Sequence, residues 1–312
     1  MDRRNGALGS ELLLLLTAAI WGFAFVAQRV GMEHVGPFAF NGLRYALGAL
    51  AVLPLCLASR RRAGAAALSA TADGGRGAAP EGARGALSGP RALAACALAG
   101  SVLFLGASLQ QLGLVTTTAG NAGFITSLYV VLVPLLGLLA GRRASARVWL
   151  GAFLALGGLY LISIRSGYRM ERGDALELAG AFFWAVHILV ISRLAPRMDS
   201  FVLAAGQFAV CSALSLAVSA LAETTSLAAV RSAALPILYG GILSSGVAFT
   251  LQIVAQRKAH PASASIILSM ESLFAGIGGI LLLGEPFGLR FASGAALMLA
   301  GLVLSQLPGR KS

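Results

Sequence analysis

A chain of 312 residues in which 57% are hydrophobic and 12% are charged has too much apolar surface for a soluble globular protein. The mean hydropathy of +0.82 instead indicates an all-α integral membrane protein. The net charge of +12 does not indicate a nucleic-acid partner, because the 24 lysines and arginines are distributed over separate loops rather than clustered on one face.

Apolar runs of about 20 residues, the length that crosses the hydrocarbon core as an α-helix, recur along the whole chain. In chain order they cover residues 12–30, 36–57, 92–112, 119–140, 147–164, 175–193, 199–221, 235–256, 262–283 and 289–307. The first run follows Asp2, Arg3 and Arg4 and lacks a clear cleavage site, so it is interpreted as a retained helix rather than a signal peptide. The sequence therefore predicts ten transmembrane helices.

The second half of the chain repeats the first. Residues 21–46 align with residues 184–209, and residues 119–161 align with residues 262–304, without a gap inside either block. Each copy holds five spans, and because five is an odd number the second copy enters the membrane from the opposite side. We therefore predict two inverted five-helix repeats, a pattern typical of transporters.

The repeats define two predicted domains, residues 1–164 and 165–312. The aligned blocks have offsets of 163 and 143 residues, and the difference of 20 residues is an insertion between the second and third spans. This insertion falls in residues 59–90, which are rich in Ala, Gly and Arg and show no apolar period. Residues 59–90 are therefore predicted to form a flexible cytoplasmic linker.

The distribution of positive charge indicates the orientation of the chain. With the N-terminus inside, 17 lysines and arginines fall on the cytoplasmic side and six on the external side. The equivalent turns of the two copies agree, since the internal turn carries Arg142 and Arg143 and the external turn carries Glu285. The chain is therefore predicted to be a multi-pass protein of the cytoplasmic (inner) membrane with both termini in the cytoplasm.

Two clearly charged side chains, Arg44 and Glu271, are predicted to lie well inside spans. A charged side chain in lipid costs about 3 kcal/mol on insertion scales, so both are expected to face a cavity or each other. An alternative for Arg44 is that its long side chain reaches the outer headgroups. Glu271 lies too deep for that and is a candidate proton carrier.

Trp21 and Trp184 occupy equivalent positions in the middle of their spans, away from the interface where a membrane tryptophan usually lies. With Tyr129 and His187 at similar depth, they are predicted to form the wall of a central pocket. Ordinary helix packing is the alternative.

Amide side chains, including Asn41 and Asn121, cluster toward the outer halves of the first four spans. They favour either an external vestibule or hydrogen bonds between helices. The full set of predicted substrate-binding or cavity residues is Trp21, Asn41, Arg44, Asn121, Tyr129, Trp184, His187, Gln207 and Glu271.

Helix-weakening residues occur at one equivalent position of the two copies. Pro134 lies inside the fourth span, and its equivalent, Ile277, is flanked by Gly276, Gly278 and Gly279 in the ninth. Freed backbone groups are tolerated in a membrane only where they face protein or a wet cavity. These residues are predicted to form a hinge or a cavity wall, with a plain packing kink as the alternative.

Small residues also repeat at heptad spacing, as Gly151 with Gly158 in the first copy and Gly294 with Gly301 in the second. Glycines let helix backbones approach closely. The pairs therefore predict packing between helices of one chain, with a dimer contact as the alternative.

The sequence shows no site for covalent chemistry. The three histidines are dispersed, and there is no metal-ligand spacing, phosphate-binding glycine loop or pair of carboxylates at helical spacing. The cysteines, Cys56, Cys96 and Cys211, have no paired spacing and are interpreted as packing residues. We therefore predict no enzyme activity, no metal and no cofactor.

A family resemblance rests on four parts of the sequence: residues 18–26 around Trp21, the Pro37, Arg44 and Pro54 pattern, residues 119–161, and the block from residue 284 that includes Gly294 and Gly301. Together they resemble the EamA-type members of the drug/metabolite transporter superfamily. The resemblance implies inverted five-helix halves, a central cavity, alternating access, and export or exchange of small polar metabolites. One departure is that the Gly-Glu turn of the second half is replaced by Gly141-Arg142 in the first.

The combined prediction is a secondary transporter for an amino acid or similar zwitterion, with the lipid bilayer and a small-molecule substrate as its partners. Arg44 would attract the substrate carboxylate, and Glu271 would meet an amine or a coupling proton. The alternative is a non-transporting membrane scaffold or sensor. The sequence leaves the oligomeric state open.

Overall fold

The computed structural model describes residues 2–72, 87–117, 119–163, 171–283 and 288–307, and within these ranges all regular secondary structure is helical. The helices of the first half are α1 (Asp2–Met32), α2 (Pro37–Ala72), α3 (Gly89–Leu114), α4 (Ala119–Thr126), α5 (Tyr129–Leu139) and α6 (Ala146–Ser163). Those of the second half are α7 (Arg172–Leu194), α8 (Ser200–Ala222), α9 (Leu227–Ser232), α10 (Ala234–Leu238), α11 (Thr250–Gln256), α12 (Pro261–Leu268), α13 (Glu271–Leu283) and α14 (Leu289–Gln306). A π-helical segment, Tyr239–Phe249, joins α10 to α11 without a turn.

Nine helical stretches of the described residues are long and apolar enough to cross a membrane. The fifth predicted span, residues 147–164, is present as a shorter apolar helix, Ala146–Ile162. The described residues therefore form an all-helical membrane protein, while a total of ten transmembrane helices stays a prediction.

Part of the predicted linker is helical. Helix α2 continues to Ala72 because residues 63–72 are rich in alanine, the strongest helix former, and α3 begins at Gly89. Residues 73–86, at the centre of the linker, lie outside the described residues, as does the predicted acidic turn at Glu285.

Carboxylates at the helix ends explain where several helices begin. The side chain of Asp199 accepts hydrogen bonds from the backbone N–H groups of Phe201 and Val202 at the start of α8. The first turn of α2 is capped from another helix, since Glu223 accepts from the N–H groups of Phe38 and Ala39 at 2.9 and 2.8 Å. These contacts satisfy backbone donors that would otherwise be unpaired at a helix start.

The fourth and ninth spans are each interrupted, and at nearly equivalent positions. Helices α4 and α5 are separated by Ser127 and Leu128, and α12 and α13 by Ser269 and Met270. The breaks are 142 residues apart, within one residue of the repeat offset, since 269 − 127 = 142. Across each break the backbone hydrogen bonds span three residues instead of four. One example is the bond from the Leu128 N–H to the Ile125 carbonyl oxygen at 3.1 Å.

The expected interruptions at Pro134 and at Gly276, Gly278 and Gly279 are not where the described helices break. Helix α5 runs through Pro134, and α13 runs through the three glycines. A proline removes only one backbone donor, and its neighbours in a membrane bundle can accommodate that loss. A hinge role for these four residues stays a prediction.

The helix contacts made by the first half are repeated by the equivalent helices of the second half. Helix α6 packs against α14, and α2 packs against α8, so each of these pairs joins equivalent helices. Helix α3 packs on α7 and α8, as the π segment packs on α1 and α2. The candidate functional site lies between these groups of helices.

Glycines make the α6–α14 contact possible. A Cβ atom added to Gly158 would lie 2.4 Å from the carbonyl oxygen of Gly294, and one added to Gly301 would lie 2.5 Å from that of Gly151. These distances leave no room for any side chain. The repeated glycines therefore serve contact between the two halves of one chain, and this geometry favours the intramolecular interpretation over a dimer contact.

Candidate functional site

A cavity lies at the centre of the bundle, where helices from both halves converge. The space open to the centre of a water molecule measures about 40 Å³. Its lining residues are Trp21, Ala24, Phe25, Gln28, Arg44, Tyr45, Gln110, Thr126, Tyr129, Trp184, Ile188, Ser244, Phe249, Gln252 and Glu271. Five of the nine predicted cavity residues are in this lining: Trp21, Arg44, Tyr129, Trp184 and Glu271.

Arg44 places a buried cation in the cavity wall. Its side chain, on α2, is 2% exposed and does not extend to the membrane surface. The Nε atom donates to Oδ1 of Asn41 at 2.9 Å, and the guanidinium carbon lies 4.6 Å from the ring centroid of Tyr45. The Nη2 atom is buried and has no hydrogen-bond partner in the described protein, so it is available to an anionic group.

The two helix interruptions bring Glu271 and Tyr129 together. Tyr129 is the first residue of α5 and Glu271 is the first residue of α13. The Tyr129 hydroxyl donates to Oε1 of Glu271 at 2.9 Å, and the Ser127 hydroxyl donates to the same oxygen at 3.3 Å. Because a helix start is the positive end of the helix dipole, this position also favours a carboxylate.

Ser272, next to Glu271, connects the same two breaks. Its hydroxyl lies 2.8 Å from that of Ser127 and donates to the carbonyl oxygen of Gly123 at 2.8 Å. Backbone and side-chain groups at the interruptions are therefore paired with each other, as the membrane interior requires.

Phe249, at the end of the π segment, is the centre of the aromatic wall. Its ring centroid lies 4.5 Å from that of Trp21 and 6.0 Å from that of Trp184, on which it stacks. The indole N–H of Trp21 donates to the carbonyl oxygen of Ser244 at 3.2 Å. The indole nitrogen of Trp184 is buried without a partner and is a second free donor in this wall.

The remaining predicted residues support the wall or lie outside it. His187 and Gln207, both 0% exposed, share a 2.9 Å hydrogen bond behind the aromatic wall, where the His187 ring contacts the rings of Trp184 and Phe249. Asn41 orients Arg44. Asn121, near the start of α4, is partly exposed and is not part of the cavity lining.

The structure also buries acidic groups that the sequence did not single out. Asp174 and Glu177 on α7 are both 0% exposed, so Arg44 and Glu271 are not the only buried charges. Glu177 lies close to the end of a predicted span, where a carboxylate normally reaches the interface. Phe249, Thr126 and Gln252 were missed because nothing in their local sequence separates a cavity residue from a packing residue.

Among the described residues, no three His, Cys, Asp or Glu side chains come together as metal ligands. The described site instead offers a cation, a carboxylate and aromatic faces around a small cavity. Groups of this kind can hold a small polar molecule.

Comparisons with known proteins agree with this picture. The profile of the EamA-like transporter family matches residues 8–164 and 171–307. An uncharacterized transporter of Archaeoglobus fulgidus is 30% identical over 313 residues, covering 98% of this chain and 90% of that protein. A second uncharacterized transporter of the same organism is 28% identical over 304 residues, covering 95% of this chain and 96% of that protein.

A solved crystal structure has the same fold. It superposes with a TM-score of 0.74 at 19% sequence identity and covers 95% of this chain and 96% of that one. At this level of identity the likeness concerns the fold alone.

Proposed function

Because this chain belongs to the EamA-like transporter family, we propose that it is a secondary transporter that moves a small zwitterion, such as an amino acid, across the cytoplasmic membrane. The family match confirms the resemblance noted in the sequence. A transporter role is compatible with the predicted absence of enzyme activity. The proposal adds the substrate class and alternating access, with export or exchange as the physiological direction.

The arrangement of Arg44 and Glu271 carries this proposal. One residue comes from each half of the chain, both line the same cavity, and aromatic rings lie beside them. A free zwitterion has a carboxylate for Nη2 of Arg44 and an ammonium group for Glu271, while its side chain would contact Trp21 and Trp184. Substrate binding would pair two buried charges that are otherwise costly.

The size of the cavity supports alternating access. A space of about 40 Å³ for water centres holds a few water molecules, at about 10–15 Å³ each. A cavity of this size would have to widen before it held an amino acid, as alternating access implies.

The symmetric packing of the halves supports an inverted arrangement. Equivalent helices pair across the molecule, and each half is predicted to contribute five spans. With the positive charges counted above, this arrangement has both termini in the cytoplasm.

Ligand-induced stabilisation tests the substrate class. The purified protein should be stabilised by at least one free amino acid, by about 2.7 kcal/mol at a concentration of 100 times Kd. The N-acetylated and the carboxyl-amidated forms of that amino acid are matched controls, since each lacks one charge, and both should stabilise the protein much less.

Transport itself is measured as counterflow of the stabilising amino acid in proteoliposomes. Exchange above the level of protein-free vesicles is expected. Binding without exchange would support a sensor, and the absence of both would reject the proposed substrate class.

A further inference from the structure

A line of buried polar groups connects the central cavity with the N-terminal end of α7. It includes Asp174 and Glu177, which are both 0% exposed and stand three residues apart on one face of the helix. Neither residue belongs to the cavity lining, and substrate binding as proposed above uses neither of them.

The cavity end of this line is Thr126. Thr126 and Gln110 both line the cavity, and the Gln110 side-chain amide donates to the Thr126 hydroxyl at 3.2 Å. That hydroxyl in turn donates to Oε2 of Glu177 at 2.9 Å. Thr126 therefore contacts both the cavity and the buried carboxyl group.

The other end of the line reaches the surface. Asp174 accepts a hydrogen bond from the Thr117 hydroxyl and another from the backbone N–H of Glu171, the latter at 2.9 Å. The carbonyl oxygen of Thr117 accepts a hydrogen bond from the guanidinium of Arg29 at 3.1 Å, and Arg29 is exposed. The line thus ends beside Arg29, an exposed cation near the end of α1.

Glu177 has an oxygen that the protein does not satisfy. Its Oε1 atom is buried without a hydrogen-bond partner and faces Gly113 of α3, where an added Cβ would lie 2.9 Å from it. Among the described residues, the charges that act on Glu177 are those of Asp174 on its own helix and of Glu271, and both are negative. A carboxylate in these surroundings is costly, whereas a carboxyl group that holds a proton supplies its own donor.

The equivalent position of the first half is apolar. Glu177 stands seven residues before Trp184, and Leu14, also 0% exposed, stands seven residues before Trp21. The described structure therefore has a buried carboxyl group on this line in one half and a leucine in its place in the other. A proton pathway built on Glu177 serves one membrane face only.

We propose that Glu177 and Asp174 relay protons between the cavity and the membrane face at the N-terminal end of α7, and so couple transport to a proton gradient. Once Glu177 is ionised, the Thr126 hydroxyl passes its proton to the Glu177 carboxylate and takes another from a hydronium ion in the cavity, which leaves water there. Glu177 passes a proton to Asp174, about 5–6 Å away between Cβ atoms, through one water molecule. Asp174 releases it to solvent near Arg29, so one proton crosses and both carboxyl groups return to their starting state.

This inference rests on the proposed transport function, and two assays separate the two. Proteoliposomes of phosphatidylethanolamine and phosphatidylglycerol are given a radiolabelled mixture of the protein amino acids. Counterflow without a gradient measures exchange, and accumulation under an imposed pH gradient measures coupling. Glu177→Gln should keep counterflow and lose accumulation to the level of protein-free vesicles.

Two further variants make the test specific. Asp174→Asn keeps the side-chain shape at a position outside the cavity lining but cannot carry a proton, and it should also lose accumulation while counterflow continues. Glu33→Gln removes a carboxyl group from an exposed position between α1 and α2, and it should behave as the wild-type protein in both assays.

The outcomes distinguish the relay from the transport function. If the Glu177→Gln variant accumulates amino acids as the wild-type protein does, the relay is overturned and the proposed transport function is retained. The same conclusion follows if accumulation depends on a sodium gradient instead of a pH gradient. If the wild-type protein shows no counterflow, the proposed substrate class fails, and infrared difference spectra between two pH values decide on the relay. They should contain a buried carboxylic-acid band that Glu177→Gln lacks, and an unchanged band would overturn the proposal.

Discussion

At the scale of single residues, the cavity holds charges that the described protein pairs only in part. Arg44 has one nitrogen bonded to Asn41 and another without a partner, while Glu271 receives hydrogen bonds from two hydroxyl groups. A buried polar group without a hydrogen-bond partner destabilises the folded protein until a ligand completes its hydrogen bonds. The partial pairing is therefore what a site for a charged substrate requires.

Arg44→Gln should weaken substrate binding selectively. A hydrogen bond to a charged group contributes about 1.5–3 kcal/mol, which corresponds to about 10- to 150-fold weaker binding. Thermal stabilisation by the amino acid found for the wild-type protein measures this loss. Arg231→Gln, at an exposed position on α9, is the matched control and should bind normally. Equal affinity of both variants would contradict the role of Arg44.

Glu271→Gln should abolish or uncouple transport while the fold remains intact. The amide oxygen of glutamine can still accept the hydrogen bond from Tyr129, so the unfolding free energy should change by less than about 1 kcal/mol. The negative charge, which would bind an amine or carry a proton, is lost. Uptake into proteoliposomes and thermal unfolding together measure the two effects, and uptake at the wild-type rate would reject the assignment.

At the scale of helices, two interruptions set the positions of two cavity residues. Ending α4 and α12 halfway across the bundle places the starts of α5 and α13, and with them Tyr129 and Glu271, at the cavity. Two half-helices that meet at a site can position polar groups there while their own backbone remains satisfied. The breaks at residues 127–128 and 269–270 therefore explain why Tyr129 and Glu271 meet at the cavity.

Gly158→Ala should destabilise the protein by forcing α6 and α14 apart. The new methyl group would lie 2.4 Å from the carbonyl oxygen of Gly294, and overpacking of this kind typically costs about 1–3 kcal/mol. Gly157→Ala is a close control, because its methyl group would meet nothing nearer than Leu297 at 3.9 Å. Thermal unfolding in detergent should show a lower Tm for Gly158→Ala alone, and equal Tm values would contradict this packing.

At the scale of the whole molecule, the proposed orientation can be measured from outside the cell. Glu33→Cys lies between α1 and α2, and Lys258→Cys between α11 and α12, both at exposed positions, while the three native cysteines are buried. A membrane-impermeant maleimide should label Glu33→Cys in intact cells and Lys258→Cys only after permeabilisation. The reverse pattern would place the termini outside.

The sequence alone predicted the membrane class and the family, because hydropathy and internal repetition are visible in the order of residues and do not depend on how the chain folds. It also selected Arg44 and Glu271, since a charge inside an apolar run is conspicuous wherever the run folds. It did not reveal the extension of α2 to Ala72 or the place of the helix breaks.

Tertiary structure decided which polar groups meet. The hydrogen bond between Tyr129 and Glu271 joins residues 142 positions apart, and that between Thr126 and Glu177 joins residues 51 apart. Local sequence carries no signal for such contacts, because they depend on how helices from both halves pack. The sequence thus determined that the chain is a membrane transporter of two repeated halves, and only their packing determined the cavity between them and the buried acids beside it.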